Sequence, residues 1–310
     1  MELNGEVLST IDKSIPKKSV QYLKTPLTSL VIPEKYLTKL NSLSQFAFDQ
    51  AYSEFSDAKP NENVYRTEFN DLVQSYWKND QPNGPGKIIY DKEEFYYEGY
   101  IKSGEPYKKG RLLTKNLEVY EGDFKSNRLN VEGTYIDNEG LTITGTFLNG
   151  LIQGQGEEKW TNGTHYSGNY INGVKSGKGM LLWENSNKAK EEKYEGEFVD
   201  NLFEGLGTYH WGTQKNYTGE WKKGMMDGEG VFSWKDGRVF KGKFHEDKKH
   251  GYGELEWSDG RNWKGNWKDD KQEGLGYLKN ANGEVQIGLW EDGKRIKWIT
   301  EQEAKEFEKK

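Results

Sequence analysis

Four histidines, 50 carboxylates and a recurrent Gly-x-Gly are the groups of this 310-residue chain with chemical potential. Gly-x-Gly cradles phosphate where it opens a helix after a strand and is followed by Lys-Ser/Thr. The pairs Gly154/Gly156, Gly177/Gly179, Gly205/Gly207, Gly228/Gly230, Gly251/Gly253 and Gly274/Gly276 recur at near-constant intervals without that sequel, so they are structural. His245 and His250 are the one close histidine pair, with no H-E-x-x-H helix around them, and read as solvated loop residues instead of metal ligands. No two carboxylates share an apolar surround that would raise a pKa for acid-base work. Asn162-Gly-Thr164 and Asn216-Tyr-Thr218 match the glycosylation sequon as chance matches in turns, given no secretory leader. The absence of cysteine excludes disulfides and thiolate metal sites and fits a reducing compartment. The expectation is therefore no catalytic residue, no cofactor and no metal, hence no enzyme.

The glycines belong to a longer phrase. Its clearest copy is Tyr217-Thr-Gly219-Glu-Trp221, six residues of turn, Gly228-Glu-Gly230, Phe232, Trp234 and Asp236-Gly237, after which Phe240 opens the next copy. Openers fall at Tyr97, Tyr120, Ile143, Tyr166, Tyr194, Tyr217, Phe240 and Trp263, each 23 residues from the last except for a gap of 28 between Tyr166 and Tyr194. A fixed period of this length marks a repeat architecture, which grows by addition and has no single core to divide.

Composition agrees. Mean hydropathy is -1.01 and hydrophobic residues are 33%, values that alone suggest disorder, but 11 Trp and 19 Tyr recur in phase with 37 Gly. The net charge of -6 with both signs interspersed is no nucleic-acid footprint. No apolar run approaches the roughly 20 residues of a membrane span.

The elements that carry the phrase follow from alternation. The first, third and fifth positions read aromatic, glycine, aromatic, with polar residues between, which is a half-exposed strand. The glycine pair opens a second strand bearing Trp160, Trp183, Trp211, Trp234 and Trp257, and Asn162-Gly163, Asp236-Gly237, Asp259-Gly260 and Asn282-Gly283 turn the chain into the next copy. A ring on one strand lies over a glycine on its neighbour. Upstream, residues 1–33 with Pro16, Pro26 and Pro33 read as an extended arm. Apolar spacing predicts a helix from Glu34 to Ser56, and a second, shorter one capped by Asn61 or Asn63, with Tyr65, Phe69, Leu72 and Tyr76 on one face; residues 34–72 are expected to cap the first sheet edge. The array spans 73–298, starting in worn form at Trp77 and Gly84-Pro-Gly86, and Thr300 with Glu303 forms a capping box for a helix over 299–310.

Tyr-x-Gly-x-(Trp/Phe) followed by Gly-x-Gly at 23-residue spacing resembles the MORN repeat, membrane occupation and recognition nexus, over about 200 residues. Departures are local: Lys108 and Val131 stand at the first glycine of a pair, and Ile143 and Gln286 at openers. The resemblance implies a mainly β fold, an elongated single-layer antiparallel sheet of about eight to nine hairpins with a helical or extended N-terminal segment and a short C-terminal helix. It also implies scaffolding in cytoskeletal, ciliary or organellar assemblies. The expected function is a non-enzymatic, cytoplasmic adaptor, not secreted, whose aromatic groove around Tyr170, Trp183, Phe198, Trp211, Trp221 and Trp234 holds a helix or extended segment of a protein partner, or of this chain's own arm. The alternative is a peripheral module for anionic phospholipid. Lys222, Lys223, Lys248, Lys249, Lys268 and Lys271 favour it, but Asp200, Glu204, Asp227, Asp269 and Asp270 interrupt them, which ranks it second.

Overall fold

In the computed structural model, residues 29–45, 55–61, 63–67, 70–90 and 94–308 are described. Among the described residues, twenty-one strands form an open antiparallel sheet, with short helices over Glu34–Asn41 and Glu301–Phe307. The chain divides into two compact units, residues 1–161 with 169–174 and residues 162–168 with 175–310.

Each repeat is a hairpin whose tight turn is shorter than the six residues expected. In the hairpin Lys215–Lys222 with Met225–Trp234, Lys222 faces Met225 and only Lys223 and Gly224 turn the chain. Both turn residues have positive φ, 51° and 84°, as do Glu246 and Asp247 (47° and 67°) and Asp269 and Asp270 (46° and 69°). Such turns match the right-handed twist of the flanking strands. The second strand thus begins before the glycine pair, which lies inside it. In the strand Leu202–Trp211, Gly207 faces Gly196 and Glu204 faces Glu197, leaving Gly205 and Leu206 unopposed on that side as a bulge. The first glycine of the pair is the bulge residue, with φ of 62° at Gly205 and 73° at Gly251. Lys108 and Val131 take the same left-handed conformation without being glycine, at 54° and 80°.

The first unit departs from expectation at its start. The helix ends at Asn41 instead of Ser56; residues 46–54 of that expected helix lie outside the described residues, as does the arm over 1–28. Asn41 and Ser42 are weak helix formers, and the Ser42 hydroxyl donates back to the Lys39 carbonyl at 2.7 Å. The expected second helix is strand: Tyr65–Arg66 pairs with Leu72–Lys78, which pairs with Gln81–Ile89. Leu72-Val-Gln-Ser-Tyr-Trp is rich in strand formers, and cross-strand pairing overrides the helical spacing of Tyr65, Leu72 and Tyr76. The N-terminal helix does not cap an edge either. It lies on a sheet face, with Tyr36 buried against Ile89, Tyr96, Leu113 and Val119 and its ring stacked on Tyr96 at 5.8 Å. Arg111, 2% exposed, donates to the Ser44 carbonyl (2.8 Å) while pairing with Glu121 (2.6 Å) and Glu98 (3.5 Å), which fastens the chain beyond the helix.

In the second unit the array closes as expected. Thr300 and Glu303 form the capping box, and the helix Glu301–Phe307 lies against the strand Val285–Glu291 with Ala304 buried. Tyr277 donates to Glu308 at 2.8 Å.

Candidate binding face

The first-position rings of the second unit, Tyr166, Tyr194, Tyr217, Phe240 and Trp263, are buried. Each lies over the third-position glycine of its own strand and the second glycine of the pair on the next strand, as Tyr194 does over Gly196 and Gly207. The tyrosines are held there by their hydroxyls: Tyr194 donates to the Glu197 carbonyl (3.0 Å) and Tyr217 to that of Glu220 (2.9 Å). Burial raises both phenols above their ordinary pKa, and the neighbouring carboxylates Glu197 and Glu220 add to it.

Fifth-position rings join the repeats. Trp221 meets Tyr217 of its own repeat edge-on at 5.2 Å and Tyr194 of the preceding one at 5.4 Å. Phe244 repeats this against Phe240 (5.2 Å) and Tyr217 (5.0 Å), and Trp267 against Trp263 (5.1 Å) and Phe240 (5.2 Å). Edge-to-face geometry at these distances is favourable beyond the area it buries. The indole N–H of Trp221 donates to the Gly207 carbonyl at 3.1 Å and that of Trp267 to the Gly253 carbonyl at 3.4 Å. These rings are interior.

The second-strand tryptophans differ. Trp183, Trp211, Trp234 and Trp257 are half-buried, at the margin of the ring face. Between them lie the buried Tyr209, Phe232 and Leu255. Ring centroids step from Trp183 to Tyr209 (5.6 Å), to Trp211 (4.4 Å), to Phe232 (5.4 Å), to Trp234 (4.5 Å). A charged residue stands opposite each indole on the adjoining strand or turn. Glu192 faces Trp183 and Trp211, and Lys215 faces Trp211 and Trp234. The Lys215 ammonium lies 4.7 Å from the Trp211 ring, Arg238 5.1 Å from Trp234 and Arg261 5.3 Å from Trp257. Each arginine is oriented by a turn carboxylate, Asp236 for Arg238 and Asp259 for Arg261, at 2.8 Å. The result is a row in which indoles alternate with charges, cationic from Lys215 onward.

Of the six residues expected to line the groove, Trp183, Trp211 and Trp234 belong to this row. Phe198 and Trp221 are consumed by ring packing, 1% and 5% exposed, and Tyr170, 1% exposed, is interior to the first unit, where its ring lies near Gly156. Sequence reading left out Trp257 from the site although it shares the 23-residue spacing, and missed Lys215, Arg238 and Arg261 altogether. Their own spacing of 23 was the available signal. His245 and His250 lie in the paired strands Val239–His245 and Lys248–Glu256 instead of in the loop, the exposed His245 donates its Nδ1–H to the Asp227 carboxylate at 2.8 Å, and no cluster fit for a metal ion occurs among the described residues. No helix among them is long and apolar enough to cross a membrane.

The family model described as MORN repeat matches residues 74–92, 120–142, 144–165, 166–188, 194–214, 217–237, 240–260 and 263–285, together more than half of the chain. Such repeats suggest a protein-interaction or membrane-binding module. No curated protein matches. Among solved structures, the chain is similar to the SAS-4 (dCPAP) TCP domain in complex with a proline-rich motif of Ana2 (dSTIL) of Drosophila melanogaster, at 12% identity, 80% coverage of this chain, 99% of that chain and a TM-score of 0.16.

Proposed function

This chain belongs to the MORN-repeat family, and from that premise we propose that it is a non-enzymatic scaffold that holds a protein partner on the ring face of its second unit. The observation that supports this is the half-buried row Trp183, Trp211, Trp234 and Trp257. The first- and fifth-position rings are spent on packing, whereas these four indoles keep part of their surface in water beside Lys215, Arg238 and Arg261. Partly exposed tryptophan next to a cation is the composition of protein-binding hot spots. Such a scaffold suits the cytoplasm, as a subunit of a cytoskeletal, ciliary or organellar assembly.

The test compares proteins retained by the wild-type chain and by the Trp211→Ala, Trp234→Ala double variant, alongside flotation with vesicles containing anionic lipid at physiological salt. The partner is expected to be lost from the variant while neither protein floats. Retention of the same partner by the double variant, with loss only when residues 1–60 are deleted, would move the docking element to the arm. Tight flotation of the wild type would give the surface to lipid.

A further inference from the structure

We infer that the tryptophan row of the second unit takes a proline-rich segment in the polyproline II conformation, one acidic triplet of the partner per repeat. The inference rests on the scaffold reading and adds the chemistry of the occupant.

Spacing selects the conformation. Successive indoles of the row lie two strands apart, since one strand separates Trp211 on Leu202–Trp211 from Trp234 on Met225–Trp234. At about 4.8 Å per strand the row therefore repeats every ~9.6 Å. The ring centroids allow this spacing, because the steps from Trp211 to Phe232 and on to Trp234, 5.4 and 4.5 Å, set an upper limit just above it. A polyproline II helix advances about 3.1 Å per residue with three residues per turn, so one of its faces repeats every ~9.3 Å. An α-helix returns to one face after about 6 Å (four residues) or about 10.5 Å (seven residues). An extended strand does so after roughly 6.6 Å. Over the three intervals from Trp183 to Trp257 the polyproline helix drifts by about 1 Å and the α-helix by about 3 Å, so only the former stays in step.

The hydrogen-bonding groups agree with that choice. Trp221 and Trp267 donate their indole N–H to backbone carbonyls, whereas among the described residues those of Trp183, Trp211, Trp234 and Trp257 have no protein acceptor. A polyproline II backbone makes no internal hydrogen bonds and presents its carbonyls outward, which suits a row of donors on aromatic rings. Tyr209, Phe232 and Leu255 floor the spaces between the indoles, where pyrrolidine rings would pack. Charge fixes the third residue of the triplet. Lys215, Arg238 and Arg261 recur once per repeat beside Trp211, Trp234 and Trp257, so a carboxylate recurring every third residue meets one cation per turn over that stretch, and Glu192 opposite Trp183 ends it.

The experiment titrates the full chain with a peptide of Pro-Pro-Glu triplets, about 15 residues long so as to span the row, and with an α-helical peptide of the same net charge, following tryptophan emission. The triplet peptide is expected to bind with a change in emission. Its affinity should fall roughly tenfold in the Lys215→Glu, Arg238→Glu variant, whose changes are at the surface and leave the ring packing intact, and should vanish in the Trp211→Ala, Trp234→Ala variant. Binding of the helical peptide alone would overturn the polyproline assignment and leave the scaffold reading standing. Absence of binding by both peptides would do the same if Trp211→Ala, Trp234→Ala still abolishes capture of the native partner, and would end both readings if it does not. Equal binding of the triplet peptide to all variants would show attraction to the surface at large and overturn the inference.

Discussion

The ring of Tyr217 fills the space that a side chain on Gly230 would occupy: a β-carbon built there would stand 2.3 Å from Cε2 and 2.4 Å from the hydroxyl oxygen. Gly230 faces Gly219, whose own β-carbon would stand 2.5 Å from the same hydroxyl. Gly230→Ala must therefore displace a fully buried tyrosine that is hydrogen-bonded to Glu220. A loss of about 1–3 kcal/mol is expected, the usual cost of overpacking. Urea unfolding with Gly283→Ala as control checks this, since nothing stands within 4 Å of a β-carbon at Gly283 but its φ of 94° isolates the backbone contribution. Gly230 itself lies outside the left-handed region, so a loss there reports the ring contact, and an unchanged midpoint would show that the ring yields without cost.

Val131 gives the opposite expectation. It stands at the bulge position with φ of 80° and is 57% exposed, so a branched side chain is held in a left-handed conformation with little burial in return. Val131→Gly should stabilise the chain by about 1 kcal/mol, the strain that the β-carbon imposes there. A rise in the urea midpoint without change of slope is the expected reading, and a fall would show that the valine has packing worth more than its strain.

Arg111 is the fastening of the N-terminal segment to the first unit. Arg111→Met removes the donor to Ser44 and leaves Glu98, 13% exposed at its side chain, without that cation. The cost expected is about 1.5–3 kcal/mol, as for hydrogen bonds to charged groups. Limited proteolysis should then open residues 29–45 before the hairpins. Unchanged protection would mean that Tyr36 and its apolar neighbours hold the segment alone.

Alkaline pH should unfold this protein early. Burial raises the phenols of Tyr194, Tyr209 and Tyr217, with the carboxylates Glu197, Glu192 and Glu220 adding to it. A group whose folded pKa lies above its unfolded value of about 10 contributes stability that is full below that value and lost as pH climbs toward the raised one, because the unfolded chain then binds fewer protons. The thermal midpoint should fall steeply above about pH 10. Tyr217→Phe should flatten the fall, and a slope identical to wild type would remove this tyrosine from the account.

Much of this was legible in the residues. Period, strand alternation, the capping box at Thr300 and the placing of rings over glycines all follow from spacing, because each repeat meets the same neighbours. Turn geometry was not. Asn149-Gly150 and Asn172-Gly173 carry the signature of a two-residue turn, but Glu246-Asp247 and Asp269-Asp270 do not, and the twist of the paired strands imposes the conformation on them. The segment around Tyr65 and Leu72 was misread since helical spacing is a local signal and strand pairing is not. In the candidate site, alternation correctly put Phe198, Trp221 and Trp234 on one face but says nothing of how much of each ring its neighbours cover. Coverage depends on the edge-to-face joints between repeats.

Those joints also set a rule for how such a chain can change its length. In the second unit Phe198, Trp221, Phe244 and Trp267 are each set at the fifth position against two first-position rings, so the same lock serves at these seams. A copy made by duplication in a frame of 23 residues finds its lock already cut, whereas a copy in any other frame does not. The one departure, the 28-residue spacing, obeys this rule: its extra residues lie between Trp183 and Glu192, after one hairpin's last ring and before the next one's first. There they form a short helical turn at Lys188–Lys190 whose Ala189 carbonyl accepts from Thr213 at 3.0 Å. Insertions elsewhere in the phrase would shift a ring off its glycine, so natural variation in length among such arrays should collect at this one seam.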